Sequence, residues 1–158
     1  MRGKSGYKRK IIEPDSKFAS STLSKFINYV MERGKKSVAE KIVYSSLDEA
    51  STRLKKDPLD IFNQAIMAVA PAVEVRSRRI GGANYQIPVE VKEPRRTALA
   101  MRWIIEGAKS KKGAPMSKKL ADEYCEILAG SSYSLKKRAD THRMAEANRA
   151  FAHFARLR

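Results

Sequence analysis

A chain of 158 residues, 42% of them hydrophobic, is long enough for one domain with a proper core, in which roughly 70% of the unfolded surface can be buried. Its 33 Lys and Arg against 17 Asp and Glu leave a net charge of +16, which repels itself in the free protein and points to an anionic partner. The single cysteine, Cys125, permits no internal disulfide. No run approaches the ~18 apolar residues of a membrane span, and the basic start leads into Glu13-Pro14-Asp15 instead of a signal peptide's apolar stretch.

In chain order, residues 1–18 show no periodicity and read as a flexible basic arm ending in a turn at Glu13-Pro14-Asp15. The domain proper is expected over 19–158. Ser20, Ser21 and Thr22 are capping candidates for a first helix, in which Leu23, Phe26, Ile27, Val30 and Met31 form one apolar stripe. Gly34 is expected to end it, with Lys35 and Lys36 in the corner. Ser37 and Glu40 have capping-box spacing for a second helix, striped by Ala39, Ile42, Val43, Leu47, Ala50 and Leu54. Asp57 and Pro58 open a third, with Ile61, Phe62, Ala65, Ile66 and Val69 inward.

The stretch from Val73 to Val91 changes period. Val73, Val75 and Ser77 alternate with Glu74, Arg76 and Arg78, and Tyr85, Ile87, Val89 and Val91 again share one face. Ile80, Gly81, Gly82, Ala83 and Asn84 lie between these runs, so the stretch is a β-hairpin with a turn somewhat longer than two residues. Pro88 donates no N–H and demands a strand with a free side, as a two-stranded ribbon provides. Such a ribbon carries Arg76, Arg78 and Arg79 outward.

Pro94 starts a fourth helix, expected to be the most buried because Leu99, Met101, Trp103, Ile104, Ile105 and Ala108 cover more than one stripe. Arg95, Arg96 and Arg102 occupy its remaining face. A fifth helix buries Leu120, Ala121, Tyr124, Ile127 and Leu128 and ends at Gly130. A sixth runs from about Ser132 to Phe154, half docked through Leu135, Met144, Ala147, Phe151 and Phe154. The fold class is therefore mainly α: one six-helix bundle with a two-stranded hairpin protruding between helices 3 and 4.

Charge is unevenly distributed. Residues 1–12 hold five basic groups (Arg2, Lys4, Lys8, Arg9, Lys10) and no acid, and residues 94–119 hold eight basic groups and one acid. Residues 37–70 hold four basic and five acidic groups. A polyanion-binding face has this distribution; a uniformly solvating surface does not.

Catalytic constellations are missing. His142 and His153 share a helical face but have no cysteine or carboxylate at ligand spacing, so no metal or other cofactor is expected. Cys125 sits beside the fifth helix's core residues as a buried structural thiol. Gly81-Gly82 lacks the Gly-Lys-Ser/Thr sequel of a phosphate-cradling loop. Binding, not catalysis, is the expectation. Arginine forks suit folded RNA, whose major groove admits no helix. The same body with a β-arm would equally serve a DNA-bending architectural protein, and charge alone does not separate the two.

Three strings resolve that choice by resemblance. RRIGGANYQIPVEV (Arg78 to Val91), ALAMRW (Ala98 to Trp103) and HRMAEANRAFAH (His142 to His153) resemble signature segments of the small-subunit ribosomal protein seven family, in the right order, and the resemblance runs from about Lys10 to Phe154. It implies binding to the three-prime major domain of small-subunit rRNA and organisation of the subunit head. By position it implies rRNA contacts at Arg2, Lys4, Lys8, Arg9, Lys10, Lys35, Lys36, Arg76, Arg78, Arg79, Arg95, Arg96 and Arg102. It places Gly81, Gly82, Ala83, Asn84 and Tyr85 toward the exit-site tRNA, and Arg143, Asn148 and Arg149 toward mRNA and a neighbouring ribosomal protein. No homo-oligomer and no membrane partner are implied. The short N-terminus is similar to bacterial or organellar members, hence a cytoplasmic or organellar ribosome. Ser16 stands where a proline is common, and the ending Ala155-Arg156-Leu157-Arg158 differs from the usual aromatic one.

Overall fold

A computed structural model describes residues 12–156 of the chain. Six α-helices, α1 (Ser21–Val30), α2 (Lys36–Leu54), α3 (Pro58–Val69), α4 (Arg95–Ser110), α5 (Met116–Ala129) and α6 (Tyr133–Ala147), surround one core. The strands β1 (Val73–Ile80) and β2 (Ala83–Glu90) form an antiparallel ribbon between α3 and α4, and a 3₁₀ segment, Arg149–Arg156, follows α6.

The apolar stripes explain the packing. On α3 every expected residue is buried, and Asp57 caps the helix by accepting the Leu59 N–H at 3.0 Å. Leu23, Phe26 and Ile27 of α1 are buried, with Phe26 edge-on to Phe62 at 5.3 Å. The helix α4 packs against α1, α3, α5 and α6, with Ala100, Met101, Trp103, Ile104, Ile105, Gly107 and Ala108 buried. It spans the bundle, as its broad apolar surface requires.

Several expected boundaries shift. α1 ends at Val30, not Gly34: Met31 turns extended, and Arg33 and Gly34 make a left-handed corner. α2 begins at Lys36 with no side-chain cap, so Ser37 and Glu40 form no capping box. α6 stops at Ala147 instead of running to Phe154. Asn148 caps it, its side-chain N–H donating to the Met144 carbonyl at 2.8 Å, and the chain tightens into the 3₁₀ segment. Met144 and Ala147 are consequently exposed, and His142 and His153 do not share one helix. Cys125 is partly exposed, not buried.

The N-terminal segment docks before α1. Asp15 is buried and accepts the N–H groups of Lys17 (3.1 Å) and Phe18 (3.0 Å) and the hydroxyl of Tyr44. Burial, followed by that bond to Asp15, raises the Tyr44 pKa.

The ribbon has a two-residue turn, Gly81-Gly82, shorter than expected, with both glycines at positive φ (57° and 93°) as such a turn demands. The turn sets Ile80 opposite Ala83, Arg78 opposite Tyr85, Arg76 opposite Ile87 and Glu74 opposite Val89. Cross-strand partners share a face. The apolar side of β2 is thus the charged side of β1, and Ile87 and Glu74 are buried together while Val73 and Val75 lie on the reverse face.

Candidate nucleic-acid interface

The basic residues named from sequence fall into a ribbon group, an α4 group and a corner group. Lys35 and Lys36 stand exposed at the start of α2, the positive end of its dipole. Cations there are mildly unfavourable in the free protein, and an anion would offset them. Residues 1–11, with Arg2, Lys4, Lys8, Arg9 and Lys10, lie outside the described residues.

On the ribbon, Arg78 and Arg79 are exposed and project to opposite faces, because adjacent strand residues alternate. Arg76 is not a free outward guanidinium: its Nε donates to Glu74 Oε1 at 2.6 Å. Arg95, from the first turn of α4, donates its Nε to the same carboxylate at 2.9 and 2.8 Å. Burial alone would raise the Glu74 pKa. The bonds and charges of Arg95 and Arg76 outweigh it and hold the carboxyl below the usual range. The ribbon is thereby tied to the helix that follows it.

Further along α4, Arg96 is half-buried, its Nε enclosed without a hydrogen-bond partner. Arg102 is exposed and stands 5.7 Å over the Tyr29 ring of α1. Between α1 and α4 runs a groove of about 910 Å³ lined by Lys25, Asn28, Tyr29, Arg95, Thr97 and Met101 among others. Arg79 and Arg102 make no ion pair among the described residues. Some cations elsewhere are spent on acids, as in Lys17 with Asp48 and Arg53 with Glu49 and Asp122. Arg79 and Arg102 thus leave positive surface on the ribbon and α4, and exposed lysines such as Lys41 of α2, Lys118 of α5 and Lys136 of α6 add to it on other helices.

The tip residues Gly81, Gly82, Ala83 and Asn84 are exposed. Tyr85 is half-buried in an aromatic cluster with Phe151 (5.4 Å) and Phe154 (5.3 Å) of the 3₁₀ segment. The structure thus brings together two groups that the sequence named separately, the ribbon tip and the C-terminal side. Arg143 and Arg149 are highly exposed and sit near Asp140 (3.4 Å) and Glu146 (3.3 Å). Asn148 is occupied in capping α6.

Sequence reasoning missed Glu74 and the groove residues Lys25, Asn28 and Tyr29. Glu74 had a signal, since residues two apart on a strand share a face and Arg76 follows it at that spacing. Its second partner, 21 positions away, had none.

Among the described residues no group of three His, Cys, Asp or Glu could hold a metal, and no helix is long and apolar enough to cross a membrane.

The family model for ribosomal protein S7p/S5e matches residues 1–149. The chain is 53% identical to the small ribosomal subunit protein uS7 of Thermotoga maritima over 154 residues, covering 98% of this chain and 99% of that protein. It is 54% identical to the protein of that name from Saccharophagus degradans over 147 residues (93% and 94%). With the one from Chloroflexus aurantiacus it shares 50% over 157 residues (99% and 100%). The chain belongs to the ribosomal protein S7p/S5e family: it is a small-subunit ribosomal protein and not an enzyme.

Proposed function

We propose that this protein binds the three-prime major domain of small-subunit rRNA, nucleates assembly of the subunit head, and lies beside the exit-site tRNA and the mRNA path. The observation that carries the reading is the set of arginines on the ribbon and α4: Arg76 and Arg78 on one ribbon face, Arg79 on the other, Arg95 joined to Arg76 through Glu74, and Arg96 and Arg102 further along α4. Planar guanidinium forks bind phosphates bidentately and stack on bases, which suits the backbone and junctions of folded RNA. The exposed Lys35 and Lys36 and the five basic groups of residues 1–12 extend the same contact. The ribbon tip faces tRNA in this reading. Arg143, Asn148 and Arg149 face mRNA and a neighbouring ribosomal protein. The setting is a cytoplasmic or organellar ribosome.

Titration against a three-prime-domain rRNA fragment and a duplex DNA of equal length tests it. The rRNA is expected to bind far more tightly at physiological salt. With six to ten phosphates contacted, its affinity falls roughly 10³- to 10⁵-fold between 50 and 200 mM salt. Equal affinity for both nucleic acids, with bending of the DNA, would instead favour a DNA-architectural protein.

A further inference from the structure

A buried carboxylate beneath two arginines is at odds with a surface that merely collects positive charge. Glu74 is 7% exposed and cancels one of the two charges that Arg76 and Arg95 would otherwise display. Were charge alone required, a neutral residue would serve better. Glu74 contributes geometry instead. It receives Arg76 at 2.6 Å and Arg95 at 2.8 Å, so one guanidinium from the ribbon and one from α4 are held against a single group. Both side chains nevertheless stay about half exposed, at 56% and 50%. A guanidinium has five N–H donors; the Nε of each arginine and also Nη2 of Arg76 are engaged on Glu74, leaving the remaining donors for solvent or a ligand. The support is rigid: Arg76 stands opposite the fully buried Ile87, which fixes the strand beneath it.

We propose that Glu74 is a positioning residue, holding Arg76 and Arg95 as a preformed clamp for adjacent phosphodiesters of folded RNA. The inference rests on the rRNA-binding reading above and adds the source of its selectivity. Two forks at fixed separation lose little freedom on binding a backbone of matching shape. They gain no comparable advantage on a flexible polyanion, which adapts to any arrangement of charge.

The Glu74→Gln variant separates the clamp from simple electrostatics, because it raises the net charge by one. Electrostatics predicts tighter binding to every polyanion. The clamp predicts that a three-prime-domain rRNA fragment binds about fivefold or more weakly, while poly(U) and heparin bind as tightly as before or more tightly. In an Arg76→Ala/Arg95→Ala background the loss of rRNA affinity on Glu74→Gln vanishes, since nothing is left to position, and only the electrostatic gain of one charge remains. All titrations are run below each variant's unfolding midpoint. Should Glu74→Gln not fold, Arg95→Lys gives a second test: charge and salt dependence are kept, the fork is lost, and only rRNA affinity falls. Unchanged or tighter rRNA binding by Glu74→Gln, equal losses on rRNA and poly(U), or a loss of rRNA affinity persisting without the arginines would overturn the clamp. A wild-type protein that fails to prefer rRNA over duplex DNA is a distinguishable result, and would remove the reading beneath it as well.

Discussion

The Glu123 carboxylate accepts both the hydroxyl (2.6 Å) and the backbone N–H (3.2 Å) of Ser134, closing the first turn of α6 from α5. Glu123 is fully buried, its other oxygen 3.3 Å from Lys111 Nζ. An anion at a helix N-terminus is favoured by the helix dipole, and here it also joins α4, α5 and α6. Gly107 of α4 makes room for it, since a Cβ there would lie 2.5 Å from a Glu123 carboxylate oxygen.

Breaking this junction is expected to cost stability. Glu123→Ala removes the acceptor at the start of α6 and leaves Lys111 with Glu126 alone (2.8 Å), for a loss of about 3 kcal/mol in denaturant unfolding. Gly107→Ala is expected to destabilise as well, because the carboxylate it displaces is pinned by Ser134. A Gly107→Ala protein as stable as the parent would show that Glu123 relocates freely.

Trp103 is 9% exposed in the middle of α4. Trp103→Ala is expected to lose roughly 3–5 kcal/mol, measurable as a lowered unfolding midpoint. Against the few kcal/mol by which domains of this size are held together, that is a severe lesion.

Surface arginines are expected to behave oppositely. Arg79→Ala and Arg102→Ala should each weaken rRNA binding and reduce the salt slope by about one, with thermal unfolding little changed. Arg95→Ala with Arg96→Ala should flatten the slope further. Glu74 keeps Arg76 in that variant, so its stability loss stays at about 1 kcal/mol or less. A large fall in melting temperature would mean these side chains serve the fold.

The Ala72 N–H donates to His142 Nε2 at 3.2 Å, which requires that nitrogen to be unprotonated. Burial, aided by the charge of Arg138, lowers the His142 pKa below its ordinary 6.5. The unfolded chain therefore takes up the proton first. Stability is complete above pH 6.5 and declines as the pH falls below it. His142→Gln is expected to abolish this decline. Glu74, also lowered from an ordinary 4.5, adds a further loss only in more acid solution, as the pH falls through its folded value. Unfolding midpoints between pH 7 and pH 5, compared for parent and variant, check the first window.

Much of this architecture was legible because the core is built from periodic stripes. The α3 stripe and its Asp57 cap are local patterns with one reading, and they appear as expected. The ribbon was recognisable from alternation and paired glycines, yet not which β1 face meets which β2 face, because one residue of turn length decides that. The end of α1 was misplaced because Gly34 offers a cap signal that the chain does not use, having already turned extended at Met31. Neither Glu74 with Arg95 nor Glu123 with Ser134 could be read, since each joins positions distant in sequence through the fold. The basic site residues were legible as composition. Their sorting into tied and untied guanidiniums was not.

The aromatic clasp of Tyr85 by Phe151 and Phe154 makes the chain's last turn a cover for the ribbon. A protease nick after Asn148 would strip that cover and bare an apolar strand face beside open strand edges. Such a clipped protein would stick to its own kind during storage or overproduction. Purification that spares the C-terminus protects solubility as much as shape.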